Sequence, residues 1–317
     1  MVTMAERPLI SIVTPFFNEG VGVLHFYQTL THSLDNLTDF DFEIICIDDG
    51  SKDETLSHLI DSSKKDPRII VLELSRNFGK EAAMSAGIDE AKGACVIPID
   101  ADLQDPPSLI SIMLKEWQKG AEVVLAKRID RSTDSFMKRK TAEIFYRLHN
   151  ALSSLKIPEN VGDFRLMDRV VVDALKKLPE RQRFMKGLFA WVGFNTVTIE
   201  YIREARFAGS SKFSSWKLWN FAIEGVTSFS LVPLKVWTYI GFLGSLFATF
   251  YATFIIIRTW IFGIDLPGYA SLLVVMLFFG SLQLMSLGII GEYIGRIYFE
   301  SKQRPLYIIK KLYHFNK

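Results

Sequence analysis

Asp100-Ala101-Asp102-Leu103-Gln104-Asp105-Pro106-Pro107 follows directly on the apolar run Ala94 to Ile99. The run reads as a short buried strand and the polar stretch as the loop leaving its carboxyl end, which puts two carboxylates, two residues apart, at a strand end. Carboxylate oxygens suit a hard cation such as Mg²⁺ or Mn²⁺, which keeps some waters and takes its remaining oxygens from a substrate phosphate. The bland alternative is an acidic turn capping the helix that starts near Pro107. The surrounding sequence decides between the two.

Working outward, the same pattern recurs. Leu9 to Thr14, Phe42 to Ile47, Ile69 to Leu74 and Glu122 to Ala126 are further short, branched, apolar runs, with helix-like stretches between most of them. This alternation predicts an α/β fold of βαβ units on a parallel sheet, with its ligand crevice beyond the carboxyl ends of the strands. Notable polar residues stand there: Pro15-Phe16-Phe17-Asn18-Glu19 after the first strand, Asp48-Asp49-Gly50-Ser51 after the second, Ser75-Arg76-Asn77-Phe78-Gly79-Lys80 after the third, and the D-x-D after the fourth. Four loops are thus expected to converge on one edge. Asp48 and Asp49 have the plainer reading of a turn and a cap for the helix from Asp53 onward. Arg76 and Lys80 have that of solvated charges, although a cation at a helix start opposes the helix dipole and favours a bound anion nearby. No G-x-G-x-x-G follows the first strand, which argues against a dinucleotide.

The chain has 317 residues, 49% of them hydrophobic, and the excess gathers near the C-terminus. Val236 to Ile257 is 22 residues without a charge and Leu266 to Gly291 another 26; about 20 suffice to cross a bilayer core of ~30 Å. Two membrane spans are predicted, against the alternative of a buried hairpin in a large soluble core. Nothing resembling a signal peptide precedes them. Lys212, Lys217 and Lys235 lie before the first span and Arg296, Lys302, Arg304, Lys310 and Lys311 after the second, while the connecting loop offers Arg258 against Asp265. By the positive-inside rule both termini are expected in the cytoplasm. Cys46 and Cys95 lie in apolar strand-like runs and read as small buried hydrophobes, not a disulfide. The net charge of +2 gives no reason to expect a nucleic acid partner.

Between the two regions, Ser214 to Val226 carries Trp216, Trp219, Ile223 and Val226 at helical spacing, with Lys217, Asn220 and Glu224 elsewhere on the circumference. That pattern fits a helix lying at the headgroup level, or else a packed domain helix. Gly291 and Gly295 form a G-x-x-x-G near the end of the second span, a weak signal for a homo-oligomer. The expected organisation is a cytoplasmic catalytic domain over 1–213, an amphipathic juxtamembrane helix over 214–232, a two-helix anchor over 233–295 and a basic cytoplasmic tail over 296–317.

Taken together, the four loops resemble those of the GT-A glycosyltransferases of family 2, and more narrowly the polyprenyl-phosphate glycosyltransferases: the bacterial bactoprenol glucosyltransferases and, more distantly, dolichol-phosphate mannose synthase. The resemblance continues through Gly162-Asp163-Phe164-Arg165-Leu166-Met167-Asp168-Arg169, Arg206-Phe207-Ala208-Gly209-Ser210-Ser211-Lys212 and Gly291-Glu292-Tyr293-Ile294-Gly295-Arg296. It implies a Rossmann-like GT-A domain that binds a nucleotide sugar, followed by an interfacial helix and two transmembrane helices, in the bacterial inner membrane.

The resemblance also implies roles. The donor nucleotide would lie against Pro15, Asn18, Glu19, Asp48 and Asp49, with Lys80 and Asp100 also on the donor. Mg²⁺ or Mn²⁺ would fall to Asp100, Asp102 and Gln104. Arg165, Arg206, Ser211 and Lys212 match positions associated with the donor diphosphate or the lipid phosphate, and Asp163 matches the proposed acceptor-activating carboxylate. Asp163, Asp102 and Arg165 are then the catalytic candidates. The processive synthases of the superfamily carry Gln-x-x-Arg-Trp; Gln182-Arg183-Phe184-Met185-Lys186 does not match, which points away from long-chain polymerisation. The implied reaction is inverting transfer of one hexose, glucose from UDP-glucose, to undecaprenyl phosphate. Mannose or N-acetylglucosamine is the alternative within the class, and a noncatalytic nucleotide-sugar-binding membrane adaptor the alternative outside it.

Overall fold

The computed structural model describes residues 7–129, 161–181, 183, 185–202, 232–263 and 268–315. Four βα units open the chain. β1 (Leu9–Phe16) leads to α1 (Gly20–Asp35), β2 (Asp41–Asp48) to α2 (Thr55–Lys65), β3 (Ile69–Leu74) to α3 (Lys80–Glu90), and β4 (Cys95–Pro98) to a single 3₁₀ turn and α4 (Ile110–Gln118). These strands are buried on both faces, so they read as continuous apolar runs, not alternating ones. Helices cover both sides. α1, α2 and α4 pack Phe26, Leu30, Leu59 and Met113 against Ile10, Ile12 and Ile44, while α3 packs Ala83, Met84 and Ile88 against Val13, Ile45 and Ile47.

The rest of the sheet departs from the all-parallel expectation. β5 (Val123–Arg128), β6 (Val161–Asp168), α5 (Arg169–Lys176), α6 (Met185–Trp191) and β7 (Thr196–Tyr201) follow. β6 inserts between β4 and β5 and runs antiparallel to both, whereas β7 pairs parallel with β5. Because β6 runs backwards, its first residues enter at the edge where β1 to β4 end. That brings Asp163 to the loops.

Two helices of 31 and 33 residues follow, α7 (Val232–Phe262) and α8 (Tyr269–Ser301). Both are long and apolar enough to cross a membrane, over Val236–Phe262 and Val274–Ser301, and neither is buried in the protein. Phe242, Phe250, Trp260, Leu272 and Leu284 are among the side chains left exposed. A core helix would bury such residues.

The end of the chain holds a further departure. β8 (Ile309–Tyr313) lies in the stretch read above as a basic tail, and it pairs antiparallel with β3. The eight strands run in the order β7-β5-β6-β4-β1-β2-β3-β8. Ile-Lys-Lys-Leu-Tyr is short and mostly exposed, so its charge hides its strand character. The expected juxtamembrane helix over 214–232 lies almost wholly outside the described residues. Cys46 and Cys95 are free and buried, and burial pushes the Cys46 thiol up to about 12.

Candidate active site

The four loops meet at the carboxyl edge of the sheet and are tied to one another by hydrogen bonds. Pro15 is the penultimate residue of β1 and lies opposite Ile47. Beyond it, Asn18 donates its backbone N–H to Ser51 Oγ at 3.0 Å and accepts at Oδ1 from the Lys52 N–H at 2.9 Å. The Glu19 N–H reaches Thr55 Oγ1 at 2.9 Å, and the Gly20 N–H reaches Asp53 Oδ2 at 3.0 Å. Asn18 stands in the left-handed region at φ 52°, a conformation that asparagine tolerates better than most residues. Gly50, at φ +66°, meets a tighter constraint: a Cβ there would come 2.5 Å from the Arg76 carbonyl carbon. Glycine is what lets the second and third loops touch.

Asp48 and Asp49 divide their tasks. Asp49 accepts from the N–H groups of Phe78 at 2.7 Å and Gly79 at 2.9 Å, and from the Asn77 amide at 2.9 Å. It therefore shapes the third loop and does not cap α2; Asp53 performs that task through the Thr55 N–H at 3.1 Å. Asp48 accepts from the Ser51 N–H at Oδ2, while its buried Oδ1 has no hydrogen-bond partner among the described residues. Burial raises the carboxyls of both Asp48 and Asp49. A buried carboxylate oxygen at a strand end with no such partner is suited to an incoming N–H donor.

The D-x-D loop turns through Leu103, a buried non-glycine residue at φ 54°. That conformation costs roughly 1–2 kcal/mol for an L-residue, and burial of the side chain in the core holds it. Asp102 Oδ1 accepts from the Gln104 N–H at 3.2 Å across the turn. At the next residue, Asp105 is buried and accepts from the Tyr201 hydroxyl, with Arg128 3.7 Å away.

The centre of the site is Lys80. Its ammonium lies 2.7 Å from Asp100 Oδ1 and 2.6 Å from Asp163 Oδ2. Burial works against both carboxylates, but the outcomes differ. Asp100 is raised by burial despite the pull of Lys80, whereas Lys80, Lys186 and Arg165 together overcome burial and hold Asp163 well below the usual range. Asp163 Oδ1 is buried without a hydrogen-bond partner among the described residues. The cation at the start of α3 thus pairs with two protein carboxylates.

Arg165 turns aside from this cluster. Its guanidinium donates to the Gly162 carbonyl at 2.7 Å and stacks over the Phe189 ring at 4.0 Å. Burial lowers it to about 10. Arg206, Ser211 and Lys212 lie outside the described residues.

Two neighbours of the cluster escaped the sequence reading. Glu81 follows Lys80, and its buried Oε2 has no hydrogen-bond partner among the described residues; burial first and Asp163 second push its carboxyl up to about 8. Lys186, on α6, reaches both Glu81 and Asp163 electrostatically. An acid in the first turn of a helix reads as an ordinary complement to the helix dipole, so no local signal marks Glu81.

Residues 11–176 match the family described as Glycosyl transferase family 2. The chain belongs to that family. Among family members it is 54% identical to the "SfII prophage-derived bactoprenol glucosyl transferase" of Shigella flexneri, across 97% of this chain and 99% of that one. It is 53% identical to an uncharacterized glycosyltransferase of Synechocystis, across 96% and 95%. It is 52% identical to the "Prophage bactoprenol glucosyl transferase homolog" of Escherichia coli, across 96% and 99%. Among solved structures, a mannosyltransferase of Pyrobaculum calidifontis in complex with GDP-Man and Mn²⁺ superposes with a TM-score of 0.49 at 14% identity, covering 93% of this chain and 88% of that one. As a family 2 glycosyltransferase with a mixed α/β sheet of GT-A type, the protein presents Asp48, Lys80, Asp100, Asp102 and Asp163 at one sheet edge.

Proposed function

We propose that the protein transfers a single glucosyl residue from UDP-glucose to undecaprenyl phosphate, with inversion at the anomeric carbon, at the cytoplasmic face of a bacterial inner membrane. The observation that carries this reading is the similarity to the Shigella bactoprenol glucosyl transferase, which extends over a length that takes in both the strand-end loops and the two apolar helices. The geometry supports it. The acidic and basic residues of the edge suit a nucleoside diphosphate, and the exposed helices suit a lipid-linked acceptor.

On this reading the donor nucleotide lies against Pro15, Asn18, Glu19, Asp48 and Asp49, with the open Oδ1 of Asp48 accepting from the nucleobase. Among the described residues no group of three or more His, Cys, Asp or Glu side chains is placed to hold a metal. On this reading the seat is the smaller set Asp100 and Asp102 with Gln104, completed by donor phosphate oxygens. Such a set fits Mg²⁺ or Mn²⁺, which favour oxygen ligands from few carboxylates plus substrate phosphates. When bound, the metal supplies Lewis-acid charge to the diphosphate.

Breaking the anomeric C–O bond leaves negative charge on the β-phosphate, so fixed cations near that oxygen lower the barrier. Lys80 is such a cation, and Arg206 and Lys212 are assigned the same work at the junction with the lipid phosphate. The acceptor is a phosphate monoester with a second pKa of about 6, largely a dianion at neutral pH, so it needs no strong base. Asp163 then orients the acceptor or takes its residual proton.

The test incubates purified protein in lipid nanodiscs with undecaprenyl phosphate and a panel of radiolabelled nucleotide sugars, followed by lipid extraction. Label from UDP-glucose alone is expected in the lipid phase. Label from GDP-mannose or UDP-N-acetylglucosamine would replace the sugar assignment, and nucleotide binding with no lipid product would favour the adaptor reading.

A further inference from the structure

α8 returns the chain to the catalytic domain through a series of contacts that end beside the donor loops. The Glu300 carboxylate accepts from the Arg181 N–H at 2.9 and 3.1 Å. The Tyr307 hydroxyl donates to Asp89 at 2.8 Å, and the Ile308 carbonyl accepts from the N–H of Ser75, the first residue of the third loop, at 2.9 Å. β8 then pairs with β3. At its far side, Lys310 Nζ lies 2.5 Å from Glu73 Oε1 and the Tyr313 hydroxyl 2.9 Å from Glu73 Oε2.

Glu73 is out of place in its strand. β3 reads Ile-Ile-Val-Leu-Glu-Leu, every position is buried, and the partner of Glu73 across the β2–β3 ladder is Asp48. Two carboxylates side by side in a buried ladder repel one another. Burial raises Glu73, but Lys310 and Tyr313, with Lys311 adding its charge, bring it below the ordinary range. Asp48 is raised chiefly by burial, with Glu73 and Asp53 adding to it. The charge of Lys310 reaches as far as Asp48. The catalytic strands thus carry an acid that the C-terminal strand answers.

We propose that Lys310 and Tyr313 are positioning residues of the donor site: by engaging both oxygens of Glu73 they draw its charge away from Asp48 and leave Asp48 to hold the nucleotide. This rests on the donor reading given above. It makes β8 part of the donor site, although the strand follows the second apolar helix and its side chains bond Glu73.

The test uses the full chain in nanodiscs. Lys310→Ala should raise the donor KM and the Kd for UDP roughly three- to tenfold, with kcat little changed, and the effect should shrink as salt is added, since Lys310 is exposed. Glu73→Gln/Lys310→Ala removes the charge that Lys310 answers and should return both values close to wild type, although the ion pair is still missing. A strand that acts only as a mechanical strap predicts the opposite, a double variant no better than Lys310→Ala, and that result would overturn the proposal. So would an unchanged donor KM in Lys310→Ala. Lys310→Met preserves the aliphatic stem and gives the same readout if the alanine variant folds poorly. Asp48→Asn separates the two levels: weakened UDP binding there with no Lys310 effect defeats the inference alone, and unweakened UDP binding defeats the assignment of Asp48 to the nucleotide as well.

Discussion

Lys80 Nζ lies 2.6 Å from Asp163 Oδ2, joining residues 83 positions apart in sequence. The contact exists because the helix after β3 starts at the same edge where antiparallel β6 begins. Its consequence is electrostatic: one ammonium serves Asp100 and Asp163 together, and Asp163 stays ionised in spite of its burial.

Lys80→Ala is therefore expected to do more harm than Asp163→Asn. The first leaves two enclosed carboxylates without their shared cation; the second leaves the Lys80–Asp100 pair in place. Removing one partner of a part-buried pair is costly because the other charge remains, though solvent screening makes the cost smaller than in a dry core. Thermal unfolding should show a larger fall in Tm for Lys80→Ala, and lipid-linked product should be lost in both. Equal Tm values in the two variants would mean that the Lys80–Asp100 pair, which only Lys80→Ala removes, adds nothing to the fold.

Metal dependence should run through Asp102. Asp102→Asn removes a charge from the proposed seat and should lower transfer at least ~100-fold with the fold intact, because the ion is held by few protein ligands. Its carboxylate accepts from the Gln104 N–H across its own turn, a bond that the Oδ1 of asparagine can also accept, so circular dichroism should be unchanged. Full transfer in the presence of EDTA would remove the metal assignment.

Glu81 predicts a pH dependence of stability. Its carboxyl moves from 4.5 up to about 8 in the folded chain, through burial first and Asp163 second. Between those values the native state keeps a proton that the unfolded chain has released, so stability falls as pH rises through that window and is fullest below it. Glu81→Gln keeps the shape and cannot ionise. Its Tm should change less than that of wild type between pH 5 and pH 8, with the largest advantage at the alkaline end. Parallel Tm curves would show that Glu81 does not titrate there.

Much of this was legible locally. The first five strands, the four edge loops and both long apolar helices follow from runs and spacing, because apolar continuity and turn chemistry are local properties. β6 was not, since Asp163 and Arg165 interrupt an otherwise apolar run whose partners lie far away in sequence. β8 was hidden by its lysines, which read equally well as positive-inside anchors. Within the site, the strand-end acids were evident as residue types, but which of them answers Lys80, and that Asp49 spends its oxygens on the third loop, depends on contacts that no local pattern encodes. The same holds for Glu81 and Lys186.

The orientation drawn from Lys and Arg has a direct check. In sealed right-side-out vesicles both termini should resist external protease, while a tag inserted at Gly268, in the connection between α7 and α8, should be reached. An accessible N-terminus would reverse the orientation and separate the site from cytosolic donor. Release of the full chain by alkaline carbonate would remove the spans themselves.

The last prediction concerns Asp105, which no donor or metal role claims. It is buried, accepts from the Tyr201 hydroxyl and faces Arg128, so it ties the D-x-D loop to the ends of β5 and β7. Those two strands end just before the segments that lead to β6 and to Arg206 and Lys212. Asp105→Ala leaves Arg128 and the Tyr201 hydroxyl without the carboxylate, and loss of a buried charged partner costs about 3–5 kcal/mol. Tyr201→Phe removes one hydrogen bond and should cost about 1–2 kcal/mol. If the network positions the metal loop as well as stabilising it, folded Asp105→Asn, which keeps the shape and can still accept from Tyr201, should need more Mg²⁺ or Mn²⁺ for half-maximal transfer while binding UDP normally without metal. A metal requirement equal to wild type in Asp105→Asn, together with a lowered Tm, would confine Asp105 to holding the strands together.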